Sequence, residues 1–245
     1  STPGLGGARK GHSMLLLERG EAGLEPGAEE DKLGMRGSST ITLHLDDLRI
    51  PADRVVGEAG QGMGQLQHVL AWGRTAMAGG CMGTARLALD RSVRHVTTRK
   101  QFGSELGRFA VVREQVADMA ALLFGMDALV RYTTSVEHDE ALLLKRSTGC
   151  KVFVSDETWH VADLALQLHG GSGFIEETGV ALPLRDTRIA RIWEGANDVL
   201  TVHLGTMEAL SKDPGTPLAE AVTRDGSAPL AARGDAIRDR VHAWR

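Results

Sequence analysis

The chain has only two cysteines in its 245 residues, Cys81 and Cys150, far apart and without a CxxC spacing. That excludes a disulfide scaffold and a thiolate metal knuckle. The pair reads as reduced, partly buried thiols of a reducing compartment, with a disulfide between them the lesser alternative. No long apolar run is present; Met119 to Met126 is far too short to span a bilayer, so no transmembrane segment is expected. There is no excess of basic charge. A net charge of −4 gives no electrostatic reason to hold nucleic acid. Metal signatures are missing as well: nine histidines include no HExxH, His160 and His169 are not at ligand spacing, and no metal is assigned. No GxSxG elbow is found, and neither cysteine pairs with a histidine base. The first residues carry no initiator Met, no basic-then-apolar signal and no Arg-rich amphipathic stretch, so the chain reads as one entered in its middle.

What is there changes character near Gly57. Before it, Ser13 to Leu17 and Ser39 to Leu45 are β-compatible. In the second run Ile41, Leu43 and Leu45 alternate with Thr40, Thr42 and His44, the period of a half-buried strand. Two strands do not make a stable sheet in water, so the segment calls for further strands. After Gly57 the pattern is helical. Gly57, Gly60, Gly62 and Gly64 lead into a helix from about Met63 to His95; a phosphate-binding role for that loop ranks below a plain connection, because no strand precedes it directly. A second helix is expected over about Arg108 to Val136, where Val112, Val116, Met119, Leu123, Met126 and Val130 form an apolar seam. A third runs from about Glu140 to Leu168, ended by Gly170-Gly171, and a fourth from after Gly195 towards Leu210. Long helices joined by short links predict a mainly α fold, a C-terminal four-helix bundle preceded by the last strands of an incomplete β-domain. Met77, Met82, Met119 and Met126 read as gap-filling core. The domains expected are 1–57, 58–211 and a polar, helical tail over 212–245.

Four short segments carry polar chemistry. Arg99-Lys100-Gln101-Phe102-Gly103 offers cations, an amide and an aromatic ring, suited to a pyrophosphate and a stacked heterocycle. Equally, it suits a helix end whose basic residues complement the dipole and whose Phe anchors a turn. Gln167 and the run Gly170-Gly171-Ser172-Gly173 can approach a nucleotide closely, or can simply cap a helix. Arg185, Asp186 and Arg188 read as a salt-bridged surface network. Finally, Glu194 precedes Gly195 in Arg191-Ile192-Trp193-Glu194-Gly195-Ala196-Asn197-Asp198; a carboxylate beside a permissive turn suits a base that removes a carbon-bound proton, although most Glu-Gly pairs are exposed turns.

These segments stand in one order: KLGMRGSST, an arginine in the first long helix, RKQFG, QLHGGSGF, then RD followed by IWEGAND. The series resembles the acyl-CoA dehydrogenase family from about Gly11 to Met207, with wording closest to the very-long-chain branch. The resemblance implies a helical N-terminal domain, a middle β-domain and a C-terminal four-helix bundle, of which this chain holds the end of the second and the third. It implies FAD as cofactor. Arg99, Gln101 and Phe102 match an FAD-contacting trio, and Gln167, Gly170 and Gly171 match a loop that reaches an FAD held by a neighbouring subunit. Ala196 and Asp198 fall at further FAD-touching positions, although Ala196 stands where the family usually has Thr. Arg74, Trp193 and Gly195 match substrate-binding positions, Trp193 replacing the usual Tyr or Phe. Leu182 stands where a basic residue is common. Glu194 matches the catalytic base. Some branches place that base just before the arginine of the first helix; here that position is Gly73, which cannot act.

The implied reaction is α,β-dehydrogenation of a fatty acyl-CoA to the trans-2-enoyl-CoA. Glu194 takes the α-proton, the β-hydrogen leaves as hydride to the flavin, and the thioester oxygen is stabilised by a backbone N–H and a flavin hydroxyl. Substrate burial is expected to desolvate Glu194 and strengthen it as a base. An electron-transfer flavoprotein is the implied acceptor, a homodimer or homotetramer the implied assembly, and the bacterial cytoplasm, or else the mitochondrial matrix, the implied compartment. Three alternatives stand beside this: an acyl-CoA oxidase, an inactive helical oligomerisation module, and a DNA-binding relative. The last is disfavoured because Arg224, Arg233, Arg238, Arg240 and Arg245 are offset by Asp225, Asp235 and Asp239.

Overall fold

The computed structural model describes residues 11–136 and 138–209. The chain divides into two units, Ser1–Glu194 and Gly195–Arg245. The expected tail over 212–245 and the expected helix end at Leu210 lie outside the described residues.

The first unit opens with short antiparallel ribbons. β1 (Met14–Leu15) pairs with β4 (Val55–Val56), and β2 (Leu24–Glu29) pairs with β3 (Ile41–Leu45), with a register shift between Pro26 and Glu29. The alternation in β3 predicts a half-buried face, but Leu43 and Leu45 are 54% and 60% exposed. The cause is topological: a two-stranded ribbon has neighbours at its edge and none over its face. The glycines after Gly57 are used structurally. Gly62 donates its N–H to the His12 carbonyl at 2.7 Å and Gly60 donates to Ser13 Oγ at 2.9 Å, so those amides are not open to a phosphate.

Three long helices then form the core. α1 (Gly62–Thr98) buries Ala71, Ala78, Cys81, Ala85, Ala88, Ser92 and Val96, a stripe of small residues at helical spacing that brings its backbone close to a neighbour. That neighbour is chiefly α3 (Glu140–His169), with α2 (Ala110–Thr134) packed against both. The seam expected on α2 is the one observed: Met119, Leu123 and Met126 are buried, and Val112, Val116 and Val130 pack at its edge. Met77 and Met82 lie beside the same core. α3 starts where Asp139 accepts the Leu142 N–H at 2.9 Å and stops at Gly170, whose φ of +59° ends the helix without a Cβ penalty. One element was not anticipated, a short α4 (Ala181–Arg188) packed on α3. Its Pro183 lies in the first turn, where a missing N–H costs little. The second unit contains α5 (Asn197–Ala209). None of the described helices is long and apolar enough to cross a membrane, and no cluster of metal-ligating side chains occurs among the described residues.

Candidate active site

Glu194 is a stranger residue than its sequence suggests. Its own φ is +57°, followed by +98° at Gly195, so a non-glycine residue occupies the left-handed region. Such a conformation costs roughly 1–2 kcal/mol for an L-residue and persists only where its surroundings enforce it. Here Arg74, on α1 and 7% exposed, donates from Nε to the Glu194 carbonyl at 2.8 Å and from Nη1 to Thr148 Oγ1 on α3 at 3.1 Å. The Thr148 hydroxyl in turn donates to the Leu144 carbonyl at 2.7 Å. A single guanidinium thus ties two helices to the main chain of the carboxylate-bearing turn. Burial pulls its proton affinity down, and Glu194 opposes that.

The carboxylate itself lies against Gly73. A Cβ placed on Gly73 would stand 3.0 Å from Oε2 and 3.1 Å from Oε1 of Glu194. Oε2 is buried and has no hydrogen-bond partner among the described residues. An ordinary salt-bridged surface glutamate would show the opposite: exposure and a cation. Trp193, next in the turn, points its indole N–H at Met77 Sδ on α1. Trp193 also borders two cavities, one of about 480 Å³ lined by Met77, Cys81, Leu87, Leu182 and Pro183, the other of about 390 Å³ lined by Leu33, Met35, Ile189 and Ile192. The linings are largely apolar.

Arg185 and Asp186 behave only partly as a surface network. Arg185 pairs with Glu176, outside the expected set, and Asp186 accepts the Met35 N–H at 2.6 Å and so fastens the KLGMRG loop to α4.

The other predicted residues gather at the far end of the bundle. Lys100–Gln101 and Ser104–Glu105 form a two-residue hairpin, β5 and β6, with Phe102 and Gly103 both at positive φ, +53° and +79°. That turn normally takes Asn-Gly. Phe102 there is 90% exposed and meets only the edge of the Phe109 ring, with centroids 6.2 Å apart. The His95 ring on α1 stacks on His169 of α3 with centroids 4.2 Å apart, which brings the hairpin and the Gly170-Gly171 loop to one end of the bundle. Arg99, Gln101, Phe102, Gln167, Gly170 and Gly171 are all exposed there, and the space beside both glycines is open. Cations, two amides, a bare ring and unobstructed backbone can hold the pyrophosphate and heterocycle of a dinucleotide such as FAD. Arg74 and Arg99 are 25 positions apart on one helix, about 37 Å along its axis at a rise of about 1.5 Å per residue. Gly195, Ala196 and Asp198 belong to the second unit, where Ala196 accepts the Leu200 N–H at 3.0 Å and Asp198 stands in the first turn of α5.

The pattern of known sequences settles the family. The profile described as "Acyl-CoA dehydrogenase, C-terminal domain" matches residues 60–206. This chain belongs to the acyl-CoA dehydrogenase family. It is 34% identical over 212 residues to the human very long-chain specific acyl-CoA dehydrogenase of mitochondria, covering 86% of this chain and 32% of the relative. Among solved structures it resembles butyryl-CoA dehydrogenase from Megasphaera elsdenii, with a TM-score of 0.75, 32% identity, and coverage of 80% of this chain and 51% of the other. It also resembles an acyl-CoA dehydrogenase of Bacillus anthracis complexed with FAD, at 28% identity and a TM-score of 0.75, over 87% of this chain and 40% of that one. The chain therefore spans a third to a half of the length of these relatives.

One group near Arg74 and Glu194 escaped the sequence reading. Lys151, on the face of α3 that carries Thr148, is fully buried. Burial first, then Arg74, pulls its ammonium down to about 8, against the opposing effect of Asp156, Cys81 and Glu194. The neighbouring Cys81 thiol is pushed up to about 11 by burial, with Lys151 opposing; Cys81 and Cys150 are both buried and free. A lysine lowered on folding gives up its proton at lower pH in the folded state. Stability therefore carries the full cost of the buried charge below pH 8 and recovers as pH rises towards the ordinary lysine value. Relative to Lys151→Met, the parent should gain on the order of 2 kcal/mol between pH 7.5 and pH 10.5, measured by denaturant unfolding. A difference between the two proteins that does not change with pH would contradict the buried ammonium.

Proposed function

We propose that this chain carries the base and part of the flavin-binding surface of an FAD-dependent acyl-CoA dehydrogenase that converts a fatty acyl-CoA to its trans-2-enoyl-CoA. What supports the reading best is the carboxylate of Glu194, seated on Gly73 with a buried, unpartnered oxygen and with its main chain held by Arg74. A base must be held in place and poorly solvated, and Glu194, with its main chain tied by Arg74 and one carboxylate oxygen buried, meets both conditions.

In this mechanism Glu194 removes the α-proton of the thioester. Trp193 and Met77 border the apolar cavity that takes the acyl chain and keeps water from the reacting carbons. The Glu194 N–H has no acceptor among the described residues, which leaves it for the thioester oxygen as negative charge develops there. Arg74 keeps the turn from relaxing while the carboxylate is protonated. FAD, when bound, supplies a hydride acceptor for the β-carbon. Arg99, Gln101, Phe102, Gln167, Gly170 and Gly171 would hold the phosphate and adenine portion of an FAD. Because Arg74 and Arg99 are so far apart on α1, the flavin held at that end is not the flavin facing the same chain's Glu194. The functional unit is accordingly at least a dimer, with each bundle serving two cofactors, and its electrons pass to an electron-transfer flavoprotein.

The test is optical. The flavin absorption spectrum should bleach on anaerobic addition of acyl-CoAs of graded length and return with an electron-transfer flavoprotein. Peroxide release in place of that dependence would favour an oxidase, and a colourless preparation that takes up no FAD would favour a purely structural module.

A further inference from the structure

Two imidazoles stacked face to face attract as neutral rings and repel once both are protonated. His95, in the last turn of α1, and His169, the last residue of α3, are in that arrangement, with centroids 4.2 Å apart and an interplanar angle of 29°. Each ring stands where its helix gives way to a predicted cofactor segment. The His95 carbonyl accepts the Arg99 N–H at 2.8 Å, at the start of the RKQFG hairpin. The His169 carbonyl accepts the Ser172 hydroxyl at 2.7 Å, within the Gly170-Gly171 loop. The His169 ring is fixed by a 2.7 Å hydrogen bond between Nδ1 and the Ala165 carbonyl. A carbonyl only accepts, so the neutral ring carries its proton on Nδ1 and the next one goes to Nε2.

The charges around the stack are mostly of one sign. Burial first, then His169 and Arg99, holds the His95 imidazolium below the ordinary histidine range. Arg91, one turn back on α1, donates to the Gly179 carbonyl at 2.6 Å. In the hairpin, Glu105 is taken up by Lys100 and Arg108, and Arg113 of α2 reaches the Arg108 carbonyl. The turn over Gly170–Phe174 has no titratable side chain. A second proton on the stack therefore meets cations and no unpaired carboxylate from these elements.

We propose that the His95–His169 stack is a pH-sensitive clasp: with at most one ring charged it holds the RKQFG hairpin against the Gly170-Gly171 loop, and a second proton parts them. The inference rests on these two segments being the FAD-holding surface. Arg99, Gln101 and Phe102 lie on one side of the clasp, Gln167 and the open glycine backbone on the other. Neither ring contacts the cofactor in this scheme, so both are positioning residues. The first proton is favoured, because each ring sits at a helix C-terminus. The second is opposed by the first at a separation well inside the Debye length of about 8 Å in physiological salt. The clasp is thus intact at neutral pH and above. It weakens as pH falls below the ordinary histidine value of about 6.5, and the full cost is present below the depressed His95 midpoint.

The clasp is visible in the chain without any cofactor. The histidine ring resonances are titrated by NMR between pH 4 and 9, with His95 assigned by its loss in His95→Phe. We expect the His95 midpoint to rise by about half a unit or more in His169→Phe, which keeps a stacking ring and removes the charge. The backbone amides of Gln101, Phe102, Gly170 and Gly171 should shift with the His95 midpoint in the parent. That step should vanish in His169→Phe and in His95→Phe. A His95 midpoint that stays in place overturns the coupling, and amides that ignore the His95 transition overturn the clasp. With FAD added and its fluorescence followed, the dissociation constant of the parent should rise about tenfold from pH 7.5 to pH 5, and that of either variant by less than about threefold. Equal losses in parent and variants overturn the positioning role. A chain that takes up no FAD at any pH, while its hairpin and loop amides still follow His95, overturns the cofactor reading and leaves the clasp standing.

Discussion

Glu194→Gln should keep the flavin and lose dehydrogenation by about a thousandfold, within the range of roughly 10²–10⁴ that a positioned general base contributes. The amide is nearly the same size and can occupy the same place over Gly73, so the fold has no reason to change. The Arg74 contact is also preserved, because Arg74 grips the carbonyl of residue 194 and not its side chain. The loss should therefore appear in kcat with little change in the flavin spectrum or in acyl-CoA affinity. Activity within tenfold of the parent would mean that another group takes the α-proton, and Gly73, at the alternative position for a base, has none to offer.

The second large effect is at Gly73 and has opposite signs for stability and activity. In the interior of a helix, alanine is favoured over glycine by roughly 1 kcal/mol, so Gly73→Ala should raise the unfolding free energy by about that much. The new methyl, however, would stand 3.0–3.1 Å from both carboxylate oxygens of Glu194, closer than ordinary contact, and the side chain must retreat by a few tenths of an ångström. We expect about a tenfold fall in kcat for Gly73→Ala, and about a hundredfold or more for Gly73→Val, whose extra methyl groups fill the place of the carboxylate. Chemical unfolding and steady-state kinetics on the same preparations separate the two effects. A stabilised Gly73→Ala with unchanged turnover would show that the carboxylate does not work from its seat on α1.

These two sites also mark how far the sequence could be read. Helix ends were legible because their chemistry is local: Asp139 accepts an N–H at the start of α3 and Gly170 ends it, as such residues do in any context. The α2 seam was legible because its apolar spacing survives packing. The polar stripe on α3 was not. Ser147, Thr148, Lys151, Ser155 and Thr158 recur at helical spacing as polar residues, and all five are buried. Periodicity identifies a face; it does not say which medium the face meets. The left-handed backbone at Glu194 was hidden for a related reason, since Gly195 beside it supplied a sufficient account of the turn. α4 was hidden by Pro183 and its charges, which look like loop composition over only eight residues. The far-end cluster lay between these extremes. Its composition was visible in RKQFG and QLHGG, but two stacked histidines were needed to show that they share one end of the bundle.

The separation of Arg74 from Arg99 along a single uninterrupted helix makes α1 a ruler with discrete marks. One residue inserted at Gly79-Gly80 would leave every recognisable segment intact. It would also advance the distant hairpin by about 1.5 Å and swing it by about 100° around the axis relative to Glu194. Phe102 would then face a different direction. The number of residues between the two ends is thus as much a functional specification as any side chain, although no individual position in that stretch records it.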